Sequence, residues 1–218
     1  MTILFATHYS GFYGANKSLL TVICHLRERY GINPIVLLPS KGIMCNYLDE
    51  KNIPYIIHHY YWWVNDNHGI FQWLLNKRKQ LLNIFRVKDI CKQLHKYEID
   101  LVYSNSVTIN IGMFLAKKLC VPHIWHFRES LVQFNLSLSL SLSLSLLRKP
   151  QNAKYILISD YMMNYYRSYL PQDRMTRIYN GVSLPESTER KTENTLKERL
   201  KVAIIGVVCA QKNQLELL

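Results

Sequence analysis

The sequence predicts an α/β fold built on a Rossmann-like, doubly wound and mostly parallel sheet. Short apolar segments rich in β-branched and aromatic residues recur along the chain, and longer segments with helical periodicity separate them. This alternation is typical of repeated βα units. The predicted strands are 2–6, 34–38, 53–57, 100–106, 121–127, 153–159 and 175–182.

The segments between the strands supply the helices. The first, from about 15 to 30, carries apolar side chains at Leu19, Leu20, Val22, Ile23 and Leu26. The other predicted helices are 43–51, 70–97, 107–119 and 160–170. Right-handed crossovers between parallel strands would place these helices on both faces of the sheet.

The chain divides into three predicted regions. Residues 1–182 form the Rossmann-like domain, and the charged, polar segment 183–200 is a linker. Residues 201–218 contain an apolar strand and the first turns of a helix, which we expect to begin a second domain. We therefore expect this chain to be truncated.

Composition limits the classes of protein that the chain can represent. Of its 218 residues 49% are hydrophobic and 19% charged, which suits a globular protein with a sizeable core. The formal net charge of +12 favours anionic partners, namely nucleic acid, acidic lipid headgroups or phosphorylated small molecules. We expect a cytoplasmic protein for three reasons. The five cysteines are scattered and form no C-x-x-C pair, the start is unlike a signal peptide, and no long apolar stretch is present.

One segment, "LSLSLSLSLSL" at 136–146, does not fit the alternation of strands and helices. Its period of two predicts a strand, whereas its place between the fifth and sixth strands predicts a helix. We interpret it as a low-complexity insertion with either conformation open. No chemistry is assigned to it.

The loop after the first strand is a candidate ligand site, because ligands bind at the carboxyl ends of parallel strands. Gly11 and Gly14 precede a helix whose N-terminus could accept a diphosphate. A simple turn is the alternative. Neither G-x-G-x-x-G nor an acidic residue after the second strand is present, which disfavours a nicotinamide-dependent dehydrogenase.

Further polar residues follow other predicted strands. In "HIWHFRES", His126 could bond a sugar hydroxyl and Arg128 a phosphate, with Glu129 beside them. Alternatively, a backbone carbonyl satisfies the histidine and the arginine pairs with the glutamate. Asn105 follows the fourth strand and Asn180 the seventh, either as ligand contacts or as turn and cap residues.

The chain resembles the amino-terminal half of a family 4 glycosyltransferase of the two-domain GT-B group. The stretches that carry the resemblance are, in order, "GFYGANKSLL", "YSNS", "WHFRES", "ISDYM", "IYNGV" and "IIGVVCAQKNQLELL". They extend over essentially the whole chain. The resemblance implies that 1–182 is the acceptor-side domain and that 201–218 begins the donor-binding carboxyl-terminal domain.

The resemblance also implies roles for individual residues. His126 would be catalytic, approaching the transferred sugar, and the Gly11–Gly14 loop would face the donor diphosphate and the acceptor. Lys212 would neutralise the donor phosphates. The sequence has Val207 where family members often carry arginine, and the family's E-x7-E motif would lie beyond Leu218.

The function that these features imply is transfer of a sugar from a nucleotide-diphosphate donor to a glycan or lipid-linked acceptor. The setting would be synthesis of a surface polysaccharide or glycolipid, in a retaining reaction without cofactor or metal, and we expect the chain to be inactive alone. A non-catalytic acceptor-binding module or pseudogene product is the alternative. A nucleic-acid binder has only the charge in its favour, so nucleic acid is not an expected partner.

The helical segment from 71 to 88 is both basic and amphipathic. We expect it to pack on the sheet with a solvated basic face; a position on an anionic membrane surface is the alternative, which would make the protein peripheral on the inner face of that membrane. The nearby His58, His59 and His68 lack metal-ligand spacing.

Overall fold

The computed structural model describes residues 1–63, 70–130 and 152–181. These residues belong to one compact unit, Met1–Gly181. The predicted linker 183–200, the predicted second-domain segment 201–218 with Lys212, and the Ser-Leu tract 136–146 lie outside the described residues.

Seven strands in the described ranges form a single sheet in which every neighbouring pair is parallel. They are β1 (Thr2–Ala6), β2 (Asn33–Leu38), β3 (Tyr55–Ile57), β4 (Leu101–Ser104), β5 (His123–Phe127), β6 (Ala153–Leu157) and β7 (Met175–Arg177). Their spatial order is β3-β2-β1-β4-β5-β6-β7. The predicted fold class is confirmed, and the strand order reverses between β1 and β4, where doubly wound sheets bind ligands.

Five α-helices connect the described strands. They are α1 (Gly14–Tyr30), α2 (Ile43–Glu50), α3 (Ile70–Leu94), α4 (Ile111–Leu119) and α5 (Asp160–Tyr166), with a short 3-10 helix at Gln172–Arg174 before β7. Helix α1 ends where Gly31 adopts a left-handed conformation (φ 62°), which glycine adopts without strain. At the start of α5, the Ser159 hydroxyl accepts a bond from the Met162 amide.

The core lies on both faces of the sheet, as alternation along the strands dictates. On one face Phe5 and Val36 pack against Leu19 of α1 and Leu48 of α2. On the other face α3 and α4 cover the sheet, and their core residues join those of β1, β2 and β4. Within the described part of the chain, no helix is long and apolar enough to span a membrane.

Helix α4 begins at Ile111, four residues later than predicted. The intervening residues form a loop that side chains hold in place. The Ser106 hydroxyl accepts a bond from the Thr108 amide, and Asn110 accepts one from the buried Asn83 of α3. Short polar side chains compete with helical backbone bonding, so this loop extends the ligand-facing edge.

Candidate functional site

The loops after β1, β4, β5 and β7 meet at the carboxyl edge of the sheet. Because β1, β4 and β5 are neighbours, His8, Asn105 and Arg128 follow adjacent strands. Seven of the predicted residues belong to these loops or the strand ends beside them: Gly11, Gly14, Asn105, His126, Arg128, Glu129 and Asn180. The predicted Lys212 lies outside the described residues.

The glycine loop after β1 is held by Asn16 of α1. This fully buried side chain donates from Nδ2 to the carbonyls of Tyr9 (3.0 Å) and Gly11 (2.7 Å). A Cβ on Gly11 would lie 2.7 Å from the ring of the exposed Tyr13, so a larger residue there would displace that ring. A Cβ on Gly14 would meet nothing within 4 Å, so the surface at the start of α1 is open.

The loop after β2 braces the glycine loop from the side. The Ser10 hydroxyl donates to the Ser40 carbonyl at 2.6 Å, and the Met44 amide donates to the Ser10 carbonyl at 3.0 Å. A Cβ on Gly42 would lie 2.5 Å from that carbonyl oxygen, so only glycine permits this approach. The two loops are therefore one packed unit.

Arg128 joins three loops through its guanidinium group. Its Nε donates to Asn105 Oδ1 (2.7 Å), and its Nη1 donates to the Ser18 hydroxyl (3.0 Å) and to Asn180 Oδ1 (2.8 Å). Asn105 in turn donates from Nδ2 to the Ala15 carbonyl (3.0 Å), so both its polar atoms have protein partners. Asn105 positions Arg128, and the predicted alternative of an Arg128–Glu129 pair is replaced by these neutral acceptors.

His126 points to the same side of the sheet as Tyr103 of β4. Its Nδ1 forms a short hydrogen bond with the Tyr103 hydroxyl, rather than with a backbone carbonyl. Burial, together with the Arg128 charge, lowers the pKa of His126 to about 3, and burial raises the pKa of Tyr103 to about 12. In the tautomer in which Nδ1 accepts the Tyr103 hydrogen, the proton of the neutral ring is on Nε2, which can then donate.

Glu129 lies on the other side of the loop, toward β1. Its Oε2 accepts a bond from the Ser106 hydroxyl (2.9 Å), and its Oε1 is 3.7 Å from Nε2 of His8. Burial raises the pKa of Glu129, and burial with the Arg128 charge lowers that of His8 to about 3. The His8–Glu129 contact is thus one between a neutral imidazole and a carboxyl group.

The site has unused hydrogen-bonding capacity. Buried side-chain polar atoms with no hydrogen-bond partner in the described structure are His8 Nδ1, Asn16 Oδ1, His123 Nδ1, His126 Nε2 and Arg128 Nη2. All except His123 belong to the carboxyl-edge loops or the residues that hold them. Buried polar atoms are normally paired, so this cluster indicates a place for a polar ligand.

His123 is a separate case under α4. Its Nε2 bonds the Ser104 hydroxyl at 2.9 Å, and burial lowers its pKa to about 3. A Cβ on Gly112 would lie 2.0 Å from the Ser104 oxygen, so glycine lets α4 cover this pair. We interpret the pair as structural.

An open cleft of about 430 Å³ adjoins the site at the ends of β1, β2 and β3. Its lining combines aromatic and polar groups, including His8, Tyr9, Tyr61, Trp62 and Lys79. The Trp62 indole donates to the His8 carbonyl at 2.5 Å, which fixes the ring beside the imidazole. Aromatic faces with polar edges suit a sugar ring.

Sequence reasoning missed the partners of the predicted residues. Tyr103 and Ser18 bond His126 and Arg128, and His8 faces Glu129. The position of His8 just after β1 was a usable signal, since residues there line the ligand-binding edge. Among the described residues, no three His, Cys, Asp or Glu side chains are grouped as a metal site requires.

The sequence matches the family profile described as Glycosyltransferase Family 4 over residues 13–185, which is most of the chain. The chain belongs to glycosyltransferase family 4. A comparison with curated protein sequences gives no match.

Solved glycosyltransferase structures share the fold of this family 4 chain. Anabaena HepE in complex with UDP-glucose is 20% identical with a TM-score of 0.60, and the match covers 84% of this chain and 44% of HepE. A glycosyltransferase from Rickettsia africae is 18% identical with a TM-score of 0.55, covering 83% and 43% of the two chains. This chain therefore spans less than half the length of these structures.

Proposed function

We propose that the protein transfers a sugar from a nucleotide-diphosphate donor to a glycan or lipid-linked acceptor, in the synthesis of a surface polysaccharide or glycolipid. The observation that carries the proposal is the pair of unpartnered nitrogens, His126 Nε2 and Arg128 Nη2, at the ligand-binding edge of a family 4 chain. HepE, which has the same fold, was crystallised with UDP-glucose, and this supports a nucleotide sugar as donor.

In this proposal His126 acts on the transferred sugar. Sugar transfer passes through a transition state with positive charge on the sugar ring. An imidazolium would repel that charge, whereas the neutral His126 can donate from Nε2 to a sugar oxygen without repulsion. The bond between Tyr103 and Nδ1 fixes the orientation of the ring, so Nε2 already faces the sugar when it arrives.

Arg128 then acts on the departing diphosphate. Its Nε and Nη1 bonds to Asn105, Ser18 and Asn180 fix the guanidinium plane, and Nη2 remains for an anionic oxygen. Charge-assisted bonds from arginine to phosphate are stronger than neutral ones. The open start of α1 at Gly14 adds backbone amides on the same edge.

The acceptor is proposed to occupy the cleft beside His8. Its sugar ring would lie on the aromatic lining, and its hydroxyl would meet the His8–Glu129 pair. Glu129 would orient that hydroxyl, with Ser106 holding the carboxyl group in place. We propose that the reaction uses neither metal nor cofactor.

We further propose that a second domain completes the enzyme, with Lys212 at the donor phosphates. The chain spans 44% of HepE, and closure of both domains on the donor is the usual requirement for such a site. We propose a cytoplasmic, membrane-peripheral location; the unpaired cysteines Cys24, Cys45, Cys91 and Cys120 fit a reducing compartment.

Two experiments test the proposal. Sequencing the encoding DNA beyond codon 218 in all three forward frames should reveal a second α/β domain with E-x7-E. The two domains together should then release nucleoside diphosphate from a nucleotide sugar in an acceptor-dependent way, and a His126→Ala variant should not. If no second domain is encoded nearby and the chain binds acceptor without turnover, the non-catalytic acceptor-binding alternative replaces the proposal.

A further inference from the structure

Helix α3 has an exposed face that combines apolar and basic side chains. Leu74, Leu81 and Phe85 are 53%, 58% and 73% exposed. Arg78 and Lys88 are exposed on the same side, because residues three, four or seven positions apart share one face of a helix. We call these five residues the α3 outer face.

The opposite side of α3 packs against the rest of the domain. Val87, Ile90 and Leu94 are buried in the core with β1, β2 and β4. The buried Asn83 bonds the backbone of Tyr61 through both its oxygen and its nitrogen, which anchors the helix to the segment after β3. The outer face is therefore exposed even though α3 is packed firmly against the sheet.

The nearby tryptophans and tyrosines contribute little to this face. Tyr60 is buried and donates to the carbonyls of Thr7 and Leu37, and Trp63 is buried and donates to the Val107 carbonyl. These rings connect loops at the carboxyl edge. Trp62 is 38% exposed beside the cleft, and the more exposed apolar side chains Leu74, Leu81 and Phe85 lie on α3 itself.

The charge of α3 identifies the kind of partner. The helix contains six basic residues and one acidic residue, Asp89, which pairs with Lys92 at 3.2 Å. Two copies of this face would place like charges against each other, and the phosphate surface of duplex nucleic acid would leave Leu74 and Leu81 without an apolar partner. An anionic lipid surface offers acyl chains to the apolar side chains and phosphates to the basic ones.

We infer that the α3 outer face docks the protein on an anionic membrane. Leu74, Leu81 and Phe85 enter the boundary between headgroups and acyl chains, and Arg78 and Lys88 lie among the lipid phosphates. Lys79 of the same helix lines the cleft beside His8, so docking brings that cleft within about one helix diameter, roughly 10 Å, of the lipid. On the proposed function, this is where the headgroup of a lipid-linked acceptor would lie.

The test is cosedimentation of the 218-residue chain with phosphatidylglycerol–phosphatidylcholine vesicles, without any nucleotide. The chain should bind these vesicles, bind pure phosphatidylcholine far less, and lose affinity as salt rises. The double variant L81S/F85S should bind at least about tenfold more weakly. The variants R78Q and K88Q should each lose roughly fivefold at low salt.

The matched control is Tyr30→Ser. Tyr30 is 62% exposed at the end of α1, which packs on the opposite face of the sheet, so this variant should bind vesicles like the unchanged chain. Circular dichroism should show the same helix content in all variants. Any of three results would overturn the inference: L81S/F85S binds vesicles as well as the unchanged chain does, binding does not depend on salt, or only the unchanged chain forms a dimer. None of these results depends on sugar transfer, so the docking inference and the proposed function fail separately.

Discussion

The substitution Arg128→Met separates the two contributions of this arginine, bracing the loops and binding an anion. Methionine keeps much of the apolar stem but removes the bonds to Asn105 (2.7 Å), Asn180 (2.8 Å) and Ser18 (3.0 Å). The variant should stay folded yet lose affinity for a nucleotide sugar.

The expected stability change follows from the burial of each partner. Asn105 is fully buried, so leaving its oxygen without a donor costs about 1–3 kcal/mol. Asn180 is exposed and can bond water at little cost. In the opposite direction, the variant no longer desolvates a guanidinium that bonds only neutral acceptors among the described residues. We expect a net loss of about 1–2 kcal/mol of unfolding free energy, less than the 5–15 kcal/mol typical of a domain.

The substitution should also weaken binding of the nucleotide sugar. A bond from a charged donor to an anionic ligand contributes about 1.5–3 kcal/mol, so the dissociation constant for the nucleotide sugar should rise roughly tenfold to a hundredfold. Urea unfolding and calorimetric titration measure the two quantities. Asn180→Ala is the control, since it removes only an exposed partner of Arg128 and should change stability by less than about 0.5 kcal/mol. Unchanged ligand affinity in the folded Arg128→Met protein would refute the reasoning and leave Arg128 as a brace.

Four further predictions test the site and the fold around it. His126→Gln should abolish transfer by the complete enzyme while the melting temperature changes little; activity near that of the unchanged enzyme would contradict the proposed role. Gly112→Ala should destabilise the fold by about 1–3 kcal/mol, because its Cβ would lie 2.0 Å from the Ser104 oxygen. Gly14→Ala should leave the unfolding free energy unchanged yet weaken nucleotide-sugar binding. A destabilised Gly14→Ala beside a fully stable Gly112→Ala would be incompatible with the structure. Stability should fall as pH drops from 6.5 toward 3, because the three buried histidines have folded-state pKa values of about 3 and the unfolded chain binds more protons in that window. Each histidine contributes a slope of up to about 1.4 kcal/mol of unfolding free energy per pH unit. Glu129, whose pKa is raised, contributes a slope of the opposite sign. A urea midpoint that stays constant over this range would count against buried neutral rings.

The strands and the ligand-binding edge could be predicted because their signals are local. The apolar run from Pro34 to Leu38 in β2 indicates a strand covered on both faces, and parallel strands bring their carboxyl ends together. Asn105, Arg128 and Asn180 could therefore be assigned to one edge. Their mutual bonding could not, because the exact positions of three loops decide which acceptor a guanidinium reaches.

The environment of His126 shows the same limit. Its partner Tyr103 depends on the register between β4 and β5, in which Tyr103 lies opposite Ile124, and alternation puts His126 on the same face. No pattern in either strand states that register. The late start of α4 was also missed. A local bond from the Thr108 amide to the Ser106 hydroxyl, together with a bond from Asn83 of α3 to Asn110, replaces the helical bonding that the apolar spacing predicts.

The most direct test of the central claim is nuclear magnetic resonance of the histidine rings in isotopically labelled protein during titration with UDP-, GDP- and ADP-glucose. We expect one of these donors to shift the His126 ring signal saturably and to leave the structural His123 signal unchanged. In Arg128→Met the same shift should require roughly tenfold to a hundredfold more donor. Weak binding is expected, since a second domain is proposed to supply most donor contacts. If no donor moves the His126 signal, or if exposed His25 responds equally, the carboxyl-edge cluster is not the sugar-binding site.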